Sequence, residues 1–108
     1  MATTVSLFGV VIPGRPVITE FQPVSESKAV SIIQNPSTVT EITFFLLPTS
    51  PCPPGFGAVL YFSIDQANWQ ILGAISPEKP SGTFRTGWPS NEIVYTAPFI
   101  YLGVSLEP

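Results

Sequence analysis

The groups in this chain that could carry chemistry are few. There are seven carboxylates, at Glu20, Glu26, Glu41, Asp65, Glu78, Glu92 and Glu107, one thiol at Cys52, and no histidine. Without an imidazole, neither Ser-His-Asp nor Cys-His catalysis is available, and zinc sites of mixed cysteine and histidine are excluded. Glycoside hydrolysis needs two carboxyl groups facing each other across a cleft. Most of these seven stand beside turns or at polar strand positions, where a solvated charge is the ordinary reading. Asp65, Gln66 and Asn68 make too thin an oxygen cluster for calcium, and Asp65 is expected to shape a turn. Cys52 lies between Pro51 and Pro53 with no cation or helix start beside it to activate the thiol, so it reads as a loop residue. Gly55-Phe56-Gly57 precedes a strand rather than a helix, so it reads as a flexible strand entry and not as a phosphate loop. No catalytic residue, metal or cofactor is expected.

What remains is recognition, and composition points the same way. The 108 residues suit one domain, large enough for one sizeable core. Hydrophobic residues make up 44% and charged residues only 10%, against about 25% charged in an average soluble domain. Such a chain is expected to expose apolar surface, which usually marks a partner site. The four basic residues, Arg15, Lys28, Lys79 and Arg85, are scattered. No basic stripe for nucleic acid or anionic membrane follows from them. A single cysteine forbids an intrachain disulfide and fits a reducing compartment, cytoplasm or nucleus. No secretory leader pattern opens the sequence, and no apolar run reaches the roughly 20 residues that span a bilayer.

Thirteen prolines break the chain at short intervals. The windows between them favour Val, Ile, Thr, Phe and Tyr, which form strands rather than helices. Short segments bounded by Pro, Gly, Ser and Asn are the pattern of a sandwich or barrel. The expected strands are Val5–Ile12, Val17–Gln22, Lys28–Ile33, Val39–Leu47, Gly57–Ile64, Trp69–Ile75, Gly82–Thr86, Ile93–Tyr95 and Phe99–Leu106, with no helix. A proline-rich loop, Pro48 to Pro54, separates the fourth from the fifth.

Alternation assigns the faces. In the fifth expected strand Ala58, Leu60, Phe62 and Ile64 form the core side, and Val59, Tyr61, Ser63 and Asp65 the other. In the fourth, Ile42, Phe44 and Leu46 oppose Glu41, Thr43, Phe45 and Leu47, a side that begins polar and ends apolar. In the sixth, Trp69, Ile71 and Ile75 share a core-facing alternation.

Four segments, in order along nearly the whole chain, carry a family resemblance. They are Leu7-Phe8-Gly9-Val10-Val11-Ile12-Pro13-Gly14-Arg15-Pro16-Val17, then Phe45 through Gly57 with its proline-glycine loop. The succession Leu60-Tyr61-Phe62-Ser63, Trp69-Gln70-Ile71-Leu72-Gly73 and Lys79-Pro80-Ser81 follows, and Leu102-Gly103-Val104-Ser105 closes it. Together they resemble the N-terminal domain of the Hikeshi family, carriers of seventy-kilodalton-class heat-shock chaperones into the nucleus under heat stress. The resemblance implies an antiparallel β-sandwich of jelly-roll type and binding to phenylalanine-glycine (FG) repeat nucleoporins. It places repeat recognition between Val24 and Tyr61. The family's C-terminal helical region, which helps it dimerise and engage the chaperone, has no counterpart in this sequence, so chaperone carriage is expected to need more than this domain.

The expected site is a shallow apolar pocket for one phenylalanine ring, formed by Phe45, Leu47, Val59 and Tyr61 with Phe56 on its rim. Ordinary core packing is the competing reading for each of the five. Two alternatives belong to other classes. A carbohydrate-binding sandwich would align Trp69, Trp88 and Tyr95 on one open face. A structural homodimer would bury the surplus apolar face against a second copy.

Overall fold

The computed structural model describes residues 8–19, 21–25, 27–47 and 55–108. Among them run eight strands: β1 (Phe8–Val11), β2 (Gln22–Ser25), β3 (Lys28–Gln34), β4 (Glu41–Leu46), β5 (Gly57–Ser63), β6 (Gln70–Ile75), β7 (Ser81–Arg85) and β8 (Phe99–Glu107). A short helix, α1 (Glu92–Thr96), lies between β7 and β8. The strands form a three-stranded sheet, ordered β1-β4-β7, and a five-stranded sheet, ordered β2-β3-β8-β5-β6. All described pairings are antiparallel. The all-β sandwich expected from the sequence is therefore the fold.

Alternation places the core between the sheets. Phe8, Val10, Ile42 and Phe44 face inward from the smaller sheet, and Ala29, Ile33, Ala58, Leu60, Phe62, Ile100, Leu102 and Val104 from the larger. Phe8 meets Phe21 edge-on at 6.2 Å, and Phe62 meets Trp88 at 5.4 Å. The inner face of β5 is the one alternation predicts. Strand β8 runs through the middle of the larger sheet, between β3 and β5, so both of its edges are hydrogen-bonded.

Four expectations need correction. The second strand is Gln22–Ser25, not Val17–Gln22. Ile18 makes only an isolated bridge to Val10, and Phe21 is buried in the core. An exposed edge strand needs no apolar face, so hydrophobic patterning overlooks it, and Pro23 is tolerated at the edge. The expected strand at Ile93–Tyr95 is the helix α1. There the Asn91 side chain accepts from the backbone N–H groups of Ile93 and Val94, and this cap outweighs the β preference of Ile, Val and Tyr.

The third correction concerns β6. A register shift between Leu60 and Tyr61 pairs Leu60 with Gly73 but Tyr61 with Ile71. The extra residue, Leu72, reverses the alternation. Ile75 remains buried, while Ile71 (66% exposed) and Trp69 (39%) turn to the outer face. The fourth concerns neighbours. The expected pocket joins residues of the fourth and fifth strands, yet the two do not adjoin: β4 pairs with β1 and β7, whereas β5 pairs with β8 and β6. The expected N-terminal extension of β1 to Val5 and the loop from Pro48 to Pro54, with Cys52, lie outside the described residues.

Candidate functional site

The larger sheet carries a groove on the face turned away from the core. Its volume is about 430 Å³, and Val24, Lys28, Val30, Tyr61, Trp69 and Gly103 are among its lining residues, with Gln66, Ser105 and Glu107 completing the polar part. Register explains the assembly. Val30 and Tyr61 both pair with Gly103, from opposite sides of β8, so all three point outward. Gly103 presents no side chain, which leaves room at this point for a neighbouring ring. A Cβ at Gly103 would lie 3.0 Å from Cζ3 of Trp69, so the indole rests against that bare backbone.

The turn before β6 sets the indole. The Asp65 carboxylate accepts from the backbone N–H groups of Ala67 and Asn68, each at 2.9 Å, and from the Asn68 amide at 3.1 Å. The Ser63 hydroxyl donates to it at 3.0 Å and accepts from the N–H of Gln66 at 2.9 Å. The N–H groups of Asn68 and Ala67 first, then the Asn68 and Ser63 side chains, hold the Asp65 carboxyl well below the usual carboxylate range. Trp69 Nε1 then donates to the Gln66 carbonyl at 3.2 Å, which fixes the ring relative to that turn. Asp65 is thus the turn residue the sequence suggested.

On β5, the Tyr61 hydroxyl donates to Glu107 Oε2 at 2.6 Å. This bond, then desolvation and the nearby negative charge, raises the phenol's pKa above its ordinary value. Glu107 pairs with Gly57, four residues back along β5 from Tyr61. That is about 13 Å of strand. The two side chains can meet only by lying along the sheet, across the Val59–Ser105 pair between them. Ser105 is 5% exposed despite belonging to the outer face.

The five residues singled out from the sequence are divided by this geometry. Tyr61 lines the groove, and Val59 lies beside it on the same outer face. Phe45 sits on the outer face of the other sheet, its ring packed over Gly9, its cross-strand partner. Leu47 follows β4 directly and is half-buried. Phe56 borders a separate shallow depression with Ala74, Ile75 and Lys79. The structure therefore does not gather Phe45 and Tyr61 into one pocket. Trp69, Val24, Val30 and Lys28 were not among the expected site residues. Trp69 was misassigned to the core because the bulge at Leu72 is invisible to alternation.

The carbohydrate alternative requires Trp69, Trp88 and Tyr95 to form a common platform. Trp88 is wholly buried, and its Nε1 has no partner among the described residues. A core indole cannot stack on a sugar, so that platform does not exist. Among the described residues no helix is long and apolar enough to cross a membrane, and no group of three His, Cys, Asp or Glu could hold a metal ion.

Comparison with known proteins gives a consistent result. The family model described as "Hikeshi-like, N-terminal domain" matches residues 11–98. A Schizosaccharomyces pombe protein named OPI10 homolog is 36% identical over 109 residues, covering 94% of this chain and 53% of its own. The human protein Hikeshi is 34% identical over 116 residues, covering 94% of this chain and 59% of its own. An Anopheles gambiae OPI10 homolog is 40% identical over 81 residues, covering 71% of this chain and 40% of its own. The chain thus spans a little over half the length of the yeast and human relatives.

Proposed function

The chain belongs to the Hikeshi-like family, and from that membership we propose that it is a nuclear-transport adaptor domain whose outer-face groove receives the phenylalanine rings of FG-repeat nucleoporins. The observation that carries this reading is the groove itself: an apolar slot on the outer face of the larger sheet, open among the described residues, with Trp69 and Tyr61 in its lining and Gly103 at its floor. An aromatic ring could lie against two rings and two valines there. Burial of one phenylalanine is worth about 1.5–3 kcal/mol, and ordering a flexible repeat takes back part of it. Each contact is then weak and brief, and many repeats supply avidity without a slow release at any one site. A carrier that must pass through a pore needs that combination. The reading extends to a cytoplasmic and nuclear protein that supports import of seventy-kilodalton-class heat-shock chaperones under heat stress, as the activity of the whole carrier rather than of this domain.

The test is titration of the domain with an FG-repeat peptide, with a Phe→Ala peptide as control. Trp88 is buried and Trp69 partly exposed, so a change in tryptophan emission reports on the groove. Binding of the FG peptide alone, weakened by Trp69→Ala and Tyr61→Ala and kept within about twofold by Phe45→Ala, supports the reading. Equal binding of both peptides, or no binding, overturns it. Sedimentation at rising concentration covers the homodimer alternative, which requires the same face to close on a second copy.

A further inference from the structure

We infer that Glu107 is a positioning residue for the groove: by accepting the Tyr61 hydroxyl it pins the phenol along the sheet and keeps the slot open beside Trp69. This rests on the groove reading above and adds to it a residue that acts through Tyr61. Three observations meet here. The Tyr61–Glu107 bond is short, 2.6 Å, and joins two outer-face residues of adjacent strands. Both residues line the groove, together with Trp69 and Gly103. The strand separation between them forces both side chains to lie along the face rather than to stand up from it. A half-buried tyrosine on the outer face of a sheet otherwise has more than one staggered χ1 well available. A ring released from Glu107 would move among them. Glu107 therefore selects one wall position before any partner arrives, and the partner is spared that ordering cost.

The experiment compares wild type with Tyr61→Phe, Glu107→Ala, Glu107→Gln and the double variant Tyr61→Phe/Glu107→Ala. Tyr61→Phe keeps the ring and Glu107→Gln keeps an acceptor, so neither removes core packing. In the free protein, NMR contacts between the Tyr61 ring and Ser105 should be present in wild type and Glu107→Gln and lost in Glu107→Ala. With the FG peptide, Tyr61→Phe and Glu107→Ala should each bind about three- to tenfold more weakly. The double variant should be no weaker than either single one, as expected for a single shared interaction. Ring contacts that persist in Glu107→Ala overturn the inference whatever the peptide does. Single variants that bind as wild type, or a double variant whose loss is the product of the two, also overturn it and leave the groove reading standing. A wild type with ordered Tyr61 contacts that binds no FG peptide overturns the groove reading and, with it, the claim that the pinned ring serves a ligand.

Discussion

The indole of Trp69 rests on Gly103, where an added Cβ would come within 3.0 Å of the ring. The contact joins the first residue after a polar turn to the middle of the central strand of the larger sheet. A side chain at Gly103 would lift the indole from its seat. Gly103→Val is tolerated as a strand residue by its backbone preference, so the domain should stay folded. The partly exposed indole should move further into water, with a red shift in its emission. FG-peptide binding should fall roughly tenfold, a loss of about 1.4 kcal/mol. Unchanged emission would show that the ring does not depend on that bare floor.

Gly9 and Phe45 make a comparable pair on the other sheet, and here stability rather than binding is at stake. A Cβ at Gly9 would lie 2.1 Å from the tip of the Phe45 ring, a separation no real contact tolerates. Gly9→Ala should therefore cost about 1–3 kcal/mol, as overpacking does. In the background of Phe45→Ala the same substitution should cost much less, because the clashing ring is gone. Urea denaturation of the four proteins measures the coupling, and strict additivity would contradict the packing described.

Asp65 should make the turn before β6 sensitive to acid. Its carboxyl titrates below the ordinary range in the folded chain. The stability it contributes is complete above the unfolded value, about 3.9, and is lost as the pH falls from there toward the folded value. Asp65→Ala should accordingly lower the thermal midpoint near neutral pH, and the difference from wild type should shrink as the solution is acidified below about pH 4. A difference that stays constant through that range would show that the charged carboxylate is not what holds the turn. Weaker FG-peptide binding should accompany the variant, since the turn carries Gln66 and Trp69.

Arg15 follows the Pro13-Gly14 turn, and its guanidinium reaches the far end of β3. It donates to the Gln34 carbonyl, to the Asn35 carbonyl at 3.0 Å and to the Thr38 hydroxyl at 2.9 Å. A lysine ammonium cannot reproduce this fork. Arg15→Lys should lower stability by about 1 kcal/mol, which for a domain of this size moves the thermal midpoint by about 4 °C. An unaltered midpoint would mean that the three contacts are lost to solvent competition.

Much of the fold was legible without coordinates because it rests on local preference. Thirteen prolines and a run of β-branched and aromatic segments leave little room for helix. The inner face of β5, Ala58, Leu60 and Phe62, followed from alternation alone. The two segments whose element type or position differs from expectation do so for opposite reasons. At Ile93–Tyr95 a stronger local signal, the Asn91 cap, was present and was outvoted by β propensity. At Gln22–Ser25 there was no local signal to read, because β3 recruits that edge strand through backbone pairing.

The site divides along the same line. The sequence by itself determined that this chain is a strand-built sandwich with more apolar surface than its core uses, that it carries no imidazole, and that Tyr61 and Val59 lie on the outward side of β5. These are properties of composition and of two-residue periodicity, which any strand imposes on its own side chains. Only the tertiary structure decided that Phe45 and Tyr61 belong to opposite outer faces, that one extra residue at Leu72 turns Trp69 outward, and that Gly103 lies beneath it. Strand order, register and bulges are set by pairing between residues far apart in the chain, and no pattern within a single strand contains them.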